Sequence, residues 1–192
     1  MMIRHILPFF AVLMGFFAYI QPICSQTRAD SVAGTWLRNV ETTNEASGTK
    51  EIQYVQRVFA ADGVLTETVI YEENVTSPEG EAVTLFLRCH IKGSWALINN
   101  ERDILVNYKP ATLHVVLNDI RFPLRADDLQ NDLRASFLKK NHHIMKNYTR
   151  TMKNVLKTFY KNNDNSIFKD ISLTNTQMTA TLGNETVYFL RK

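Results

Sequence analysis

Apolar and polar residues alternate in short segments from residue 34 to residue 117, and the alternation returns after residue 167. A period of two is typical of β-strands that turn one face to a core and the other to solvent. Turn-favouring residues separate the segments at intervals of about ten residues, as in an antiparallel sandwich or barrel. The predicted strands are 34–40, 51–60, 64–72, 82–92, 94–98, 103–108, 111–117, 167–174, 177–182 and 185–191.

Several of the connections between these segments have the composition of tight turns. Ala61-Asp62-Gly63 is typical of a hairpin turn, and Asn99-Asn100 closes another hairpin. Lys92-Gly93-Ser94 predicts a bend or bulge between two strands. We therefore expect most consecutive strands to be antiparallel neighbours.

The apolar period changes between residues 125 and 162, where spacings of three and four residues replace the alternation. This spacing is typical of an amphipathic helix. Asp127 and Asp128 favour a helix start, and Asn141-His142-His143 marks a position where the helix is expected to break. The apolar residues of the predicted stripe are Leu133, Phe137, Ile144, Tyr148, Met152, Val155, Leu156 and Phe159.

Together the patterns predict a mainly β protein, an antiparallel meander β-barrel of about 8–10 strands. The helical segment, about 125–162, is an insert between the early and the late strands. A chain of this length usually forms one domain, so residues 26–192 are predicted to be a single barrel domain.

Residues Met1–Ser25 have the pattern of an export signal, with cleavage expected after Ser25. Arg4 is their only charged residue, and an apolar run follows it. The run is short for a spanning helix, which needs about 20 apolar residues. An uncleaved anchor and a lipid on Cys24 are the alternatives, and the bulky Ile23 disfavours the lipid.

The number of cysteines indicates the kind of compartment in which the protein works. Removal of Cys24 with the signal would leave Cys89 as the only cysteine, so no internal disulfide is available. We expect Cys89 to be a small buried strand residue rather than a reactive thiol. Secreted animal proteins of this size usually carry disulfides, so their absence favours a bacterial cell envelope, either periplasmic, outer-membrane-associated or extracellular.

The positive charge of the chain is concentrated in the helical insert. The whole chain has a net charge of +3, whereas residues 125–162 contain nine Lys and Arg against three Asp, a net charge of +6. One interpretation is a helix that packs on the barrel and leaves its charges in water. The other is a surface for an anionic membrane or an acidic glycan, with nucleic acid disfavoured for an exported protein. The candidate residues are Lys139, Lys140, Lys146, Arg150, Lys153 and Lys157.

Gly34-Thr35-Trp36 opens the first predicted strand and resembles the Gly-x-Trp motif of the lipocalins. Gly93-Ser94-Trp95, with the hairpin that follows it, is similar to the middle of secreted bacterial lipocalin-like domains. The last strand ends in Arg191, and lipocalins use a late arginine to cover the motif tryptophan. The resemblance implies that Trp36 closes the barrel floor with Arg191 stacked on its face. The chain departs from the family in lacking its usual disulfides and in placing the helix before the final strands.

A barrel of about eight strands can hold one small ligand, or its interior can be filled by its own side chains. The candidate cavity residues are Ile52, Tyr54, Leu85, Leu87, Trp95 and Phe189. His90, His114, His142 and His143 lack the spacing of metal ligands, so neither a metal nor a cofactor is predicted.

The sequence contains no Gly-x-Ser-x-Gly elbow, no glycine-rich phosphate loop and no His-Glu-x-x-His motif, and it favours a binding protein over an enzyme. The expected function is an exported protein that holds a small, largely apolar ligand in the barrel. The alternative is an interaction module with a filled barrel, which docks a partner or an anionic surface through the basic insert.

Overall fold

The computed structural model describes residues 28–43 and 50–192 and contains nine strands and two α-helices in these ranges. The predicted export signal and Cys24 lie outside the described residues. None of the helices in the described part combines the length and the apolar character needed to cross a bilayer. The elements are α1 Arg28–Val32, β1 Gly34–Thr43, β2 Lys50–Phe59, β3 Val64–Thr76, β4 Ala82–Ile98, β5 Asp103–Tyr108, β6 His114–Arg121, α2 Gln130–Asn162, β7 Asn165–Leu173, β8 Gln177–Leu182 and β9 Glu185–Arg191.

Eight of the strands form a closed antiparallel barrel. Each of β1 to β4 pairs with the next strand, β5 pairs with β4 and β7, and β7, β8 and β9 follow in order. The barrel closes where Trp36 and Leu37 of β1 pair with the end of β9. The predicted fold class, a mainly β antiparallel barrel with a helical insert, is confirmed.

The long strand β4 changes its partner along its length. Its residues 84–90 pair with β6, and its residues 93–98 pair with β5, while β3 pairs along nearly the whole of its other edge. The strands predicted as 82–92 and 94–98 are one continuous strand, β4, whose register with β3 runs through Lys92, Gly93 and Ser94 without a bulge. Gly93 serves close packing instead, since a Cβ atom there would lie 2.4 Å from the carbonyl oxygen of Asn107. The irregularity lies between Phe86 and Leu87.

Helix α2 follows a 3₁₀ turn, Asp127–Leu129, and is kinked at Asn141, where φ is −105° and ψ is 17°. The predicted break is therefore a kink inside one helix. Phe137, Asn141, Leu156 and Tyr160 are the fully buried residues of the helix.

The predicted apolar stripe of the helix is wrong in part, because Ile144, Val155 and Phe159 are at least half exposed. The buried positions follow one another mostly in steps of four residues. Such steps drift around a helix of 3.6 residues per turn, and the kink displaces the buried face further. Residues that are apolar but lie off this drifting line remain in solvent.

The buried apolar residues form two clusters. The larger core fills the barrel and includes Trp36, Trp95 and Phe189, with Leu156 and Tyr160 of α2 packed against the strands. The smaller core lies where the β3–β4 hairpin extends beyond the barrel and β6 joins it. Its members are Val83, Leu85, Ile120, Phe122 and Phe137. Helix α2 thus contacts both cores, and residues on both sides of its kink pack on the smaller one.

Candidate functional site

Trp36 and Arg191 are neighbours where the start of β1 pairs with the end of β9. The guanidinium carbon of Arg191 lies 5.0 Å from the centroid of the Trp36 ring, and Trp36 is completely buried. Arg191 also donates hydrogen bonds to the carbonyls of Ser31 and Ala33, at 3.1 and 2.6 Å. Gly34 makes this approach possible, since a Cβ atom there would lie 3.2 Å from the guanidinium. The predicted stacking of Arg191 on Trp36 is confirmed.

The interior of the barrel contains a buried carboxylate, Glu67 on β3. Arg57, directly opposite it on β2, forms an ion pair with it through Nε. Tyr108 on β5 donates its hydroxyl to Glu67 Oε2 at 2.8 Å, and Tyr160 on α2 donates to Oε1 at 2.7 Å. All four residues are buried. Helix α2 is therefore held to the barrel by a polar contact as well as by apolar packing.

The guanidinium of Arg57 lies between two aromatic rings. Its carbon is 5.1 Å from the ring centroids of both Phe168 on β7 and Phe189 on β9, within the range of cation–π contacts. Side chains from five strands and from α2 therefore meet at one level of the barrel. At this level the protein's own side chains occupy the interior.

Burial and charge determine the protonation of this network. Burial alone would lower the pKa of Arg57, but the Glu67 carboxylate outweighs burial and raises that pKa. Burial and then Glu67 raise the pKa of Tyr160 far above its ordinary value, and burial raises the pKa of Tyr108 although Arg57 opposes it. At neutral pH both tyrosines are therefore neutral hydrogen-bond donors.

The six candidate cavity residues lie in three different surroundings. Leu87, Trp95 and Phe189 are buried on the inner side of the strands, and Leu85 is buried in the smaller core. Ile52 and Tyr54 are a correction, because the inner face of β2 is the opposite one, with Val55, Arg57 and Phe59, and Tyr54 is 40 % exposed. The interpretation was wrong here because it assigned the charged Arg57 to the outer face.

The remaining titratable candidates do not assemble into a site. Cys89 is buried, and burial followed by the nearby Glu67 charge raises the pKa of its thiol to about 12. The His90 ring lies 3.2 Å from the Thr68 hydroxyl, and the rings of His142 and His143 contact each other on α2. In the ranges that the structure describes, no three His, Cys, Asp or Glu side chains converge in a way that could hold a metal ion.

Helix α2 carries its cations beyond the kink along one side. Lys146, Arg150, Lys153, Lys157 and Lys161, here called the basic face, lie within an arc of about 80° and extend over about 22 Å. All five are exposed, and none forms an ion pair with any residue in the described ranges. The sequence contains no Asp or Glu from residue 133 to residue 163. The positive charge of this face is therefore uncompensated within the helix.

Not all basic residues of the insert belong to this face. Lys139 and Lys140 are also exposed but precede the kink. Lys140 borders a separate hollow, together with Glu79 and Glu81. Arg134 forms an ion pair with Asp119 at 2.6 Å. Before the kink, Arg134 is thus compensated by an ion pair, whereas none of the cations of the basic face after the kink has one in the described ranges.

A groove of about 440 Å³ runs between α2 and β6, and we call it the α2–β6 groove. On the strand side it is lined by Val115, Val116 and Leu117. On the helix side the apolar residues include Leu138 and Met145, and three cations of the basic face, Lys146, Arg150 and Lys153, form its rim. The groove therefore combines an apolar floor with a positively charged edge.

Sequence reasoning missed the buried network and the groove. The network had a usable signal, because Arg57 and Glu67 lie at equal distances from the hairpin turn that joins β2 to β3. Two opposite charges at such positions are direct cross-strand partners. The groove had no comparable signal, since it depends on β6 pairing with β4 instead of continuing the barrel.

No protein-family model matches this chain, and no curated protein matches it.

Proposed function

We propose that this protein is an exported docking module, in which a filled, lipocalin-like barrel holds the basic face of α2 against an anionic partner. Export is supported by the pattern of residues 1–25. The contact of Arg191 with Trp36 supports the lipocalin-like assignment. The lack of an available disulfide supports a bacterial envelope as the compartment.

The observation that carries the proposal is the uncompensated charge of the basic face. Surface helices that serve only solubility commonly interleave acidic and basic residues, because pairs of opposite charge four residues apart stabilise the helix. Here Lys146, Arg150, Lys153, Lys157 and Lys161 follow one another at intervals of three and four residues without one acidic residue. Like charges at this spacing destabilise a helix, so an external anion is the expected compensation.

The buried network supports a docking module over a carrier of small apolar molecules. The side chains of Arg57, Glu67, Tyr108 and Tyr160 meet inside the barrel, in the space where a carrier would hold its ligand. The same network fixes α2 to the barrel through Tyr160, which gives the basic face a rigid support.

The proposal is tested with two polyanions, a sulfated glycan and vesicles that contain anionic lipid, with neutral vesicles as the reference. We expect binding to an anionic probe at about 0.05 M salt and release at about 0.5 M, because the screening length shortens to a few ångströms. Combined Lys146→Glu, Lys153→Glu and Lys157→Glu should weaken binding at least tenfold, since each basic residue near an anionic surface contributes up to about 1 kcal/mol.

The control variant combines Lys139→Glu, Lys140→Glu and Lys169→Glu. It changes the net charge by the same amount at exposed positions outside the basic face. Equal loss of binding in both variants would mean that only the total charge matters. Equal loss in both variants would overturn the assignment of the basic face. So would a failure of the wild-type protein to bind both the sulfated glycan and the anionic vesicles.

A further inference from the structure

We propose that the α2–β6 groove binds an extended, acidic segment of a partner polypeptide, which adds to the free edge of β6 as a further strand. The inference rests on the proposed function, because three cations of the groove belong to the basic face. It goes further by naming the partner as a polypeptide strand and by assigning the backbone of β6 to its recognition.

The first argument is the free edge of β6. This strand pairs with β4 along one edge and stands at the end of the sheet order, so no described strand covers its other edge. An uncovered edge presents N–H and C=O groups that can pair with another chain. Many peptide-binding domains use such an edge, where main-chain hydrogen bonds supply affinity and side-chain pockets supply specificity.

The second argument is that the groove is lined by this edge. Val115, Val116 and Leu117 are consecutive, and successive side chains of a strand point to opposite faces. Because three consecutive residues line the groove, the backbone at the edge of the strand contributes to its wall. The groove therefore presents hydrogen-bonding groups of the main chain beside its apolar floor.

The third argument excludes a hydrocarbon chain as the preferred occupant. An acyl chain would fill the apolar floor, but it would remove water from the free N–H and C=O groups of β6 and offer them no partner. A polar group that is buried without a hydrogen-bond partner loses its hydration and gains nothing in return. A polypeptide strand supplies the missing donors and acceptors and still places alternate side chains on Leu138 and Met145.

The charge and the length of the groove define the segment. Lys146, Arg150 and Lys153 follow the helix side of the groove, so carboxylates on alternate positions of the bound strand would meet cations. From Leu138 to Lys153 the helix advances about 22 Å, which corresponds to about six or seven extended residues. The expected partner segment is therefore about seven residues long, with apolar and acidic residues in alternation.

The test uses a blocked seven-residue peptide that alternates Val and Glu, with a peptide that alternates Val and Lys as the charge control. We expect the acidic peptide to bind and the basic peptide not to bind. We expect a groove variant and a control variant to differ in their affinity for the acidic peptide. The groove variant combines Lys146→Glu, Arg150→Glu and Lys153→Glu, and the control combines Lys139→Glu, Lys140→Glu and Lys169→Glu. The groove variant should lose at least tenfold more affinity than the control. Peptide binding should also slow hydrogen exchange of amides in β6 relative to those of β9.

Backbone methylation separates strand addition from charge attraction. Two versions of the acidic peptide carry N-methyl groups on alternate residues, one on the odd and one on the even positions. Strand addition uses the N–H groups of one edge, so only one version should lose binding. Equal binding of both versions, together with equal loss in both charge variants, would overturn the groove assignment.

The outcomes distinguish this inference from the proposed function. Binding of glycan or vesicles without binding of the acidic peptide would overturn the groove assignment and leave the basic face as the docking surface. Peptide binding without glycan or vesicle binding would restrict recognition to the groove. If palmitate displaces the peptide and the peptide does not slow hydrogen exchange of the β6 amides, the groove binds a lipid chain and the strand assignment is wrong.

Discussion

The two cores differ in where their charges lie. The larger core, inside the barrel, contains a buried charged pair. The smaller core, between the β3–β4 hairpin, β6 and α2, is apolar, and the cations of α2 lie outside it. Arg57 forms an ion pair with Glu67 through Nε, and Tyr108 and Tyr160 complete the hydrogen bonding of the carboxylate, while Arg57 Nη1 has no hydrogen-bond partner among the described residues. The cations of the basic face have no acidic partner in the described residues. The difference separates charges that serve the fold from charges that are available to a partner.

Both regions are joined by the same helix, which makes the comparison a close one. Beyond the kink at Asn141, one side of α2 contributes Tyr160 to the buried network and another side carries the basic face. The helix is fixed where it enters the barrel and exposes its charge where it flanks β6. Four predictions sharpen or break this comparison.

The largest effect is expected for the buried pair. Glu67→Gln leaves the Arg57 charge buried without its partner, and removal of one member of a buried pair destabilises a protein by about 3–5 kcal/mol. The free energy of unfolding from urea titration measures this loss. Arg57→Met should also destabilise the protein, and the double variant should lose much less than the sum of the two single variants. Additive losses would show that the two residues do not interact in the folded protein.

The next effect concerns the smaller core. Phe137→Ala should destabilise the protein by about 3 kcal/mol, the lower end for a buried phenylalanine, because only five buried residues form this core. Hydrogen exchange should accelerate first in α2 before the kink and in β6, while β5 amides keep their protection. Uniform acceleration over all strands would mean that the two cores open together and that the comparison has no basis in local stability.

The sequence predicted the parts of the fold that follow from alternation and from local motifs. The strands of the barrel and the hairpin turns depend on residues close in sequence, and Gly34, Trp36 and Arg191 lie where the motif resemblance placed them. The inner face of β2 was predicted wrongly, because alternation assigns a charged residue such as Arg57 to solvent. The ion pair with Glu67 reverses that assignment.

The candidate site depended on contacts that alternation does not encode. The net charge of residues 125–162 predicted a basic helix, but it did not predict that Arg134 pairs with Asp119 while Lys153 has no ion pair in the described ranges. Nor does sequence pattern determine that β4 exchanges β5 for β6 at its middle. That exchange creates the free edge and the groove.

The third prediction concerns alkaline pH and the two buried tyrosines. The pKa values of Tyr108 and Tyr160 are raised in the folded protein, so the unfolded chain releases these protons first, near pH 10. Stability supported by the neutral tyrosines is complete below pH 10 and should fall above it. Each tyrosine contributes a slope of about 1.4 kcal/mol per pH unit. By pH 11 these two tyrosines together should account for a loss of nearly 3 kcal/mol, about 1.4 kcal/mol each.

Urea titrations between pH 8 and pH 11 measure this slope. Tyr160→Phe should be less stable than the wild type at pH 8 but should lose stability less steeply above pH 10. Tyr188→Phe is the matched control, because Tyr188 is exposed on β9. An unchanged slope in Tyr160→Phe would place the responsible proton elsewhere.

The smallest expected effect is a gain in stability, where the other variants lose stability. It tests whether the basic face contributes to the stability of the fold. Lys157 has Lys153 four residues before it and Lys161 four residues after it, and each like-charged pair destabilises a helix by about 0.2–0.5 kcal/mol. Lys157→Glu turns both repulsions into attractions, so it should raise the free energy of unfolding by about 0.5 kcal/mol or more. Lys139→Glu makes the same charge change at an exposed position with no Lys or Arg three or four residues away, and it should leave stability nearly unchanged. A loss of stability in Lys157→Glu would show that this cation supports the fold.

A gain in stability accompanied by weaker binding to anionic probes would have the opposite meaning. It would show that the helix carries these charges at a cost to its own stability, which is expected only where a partner compensates them.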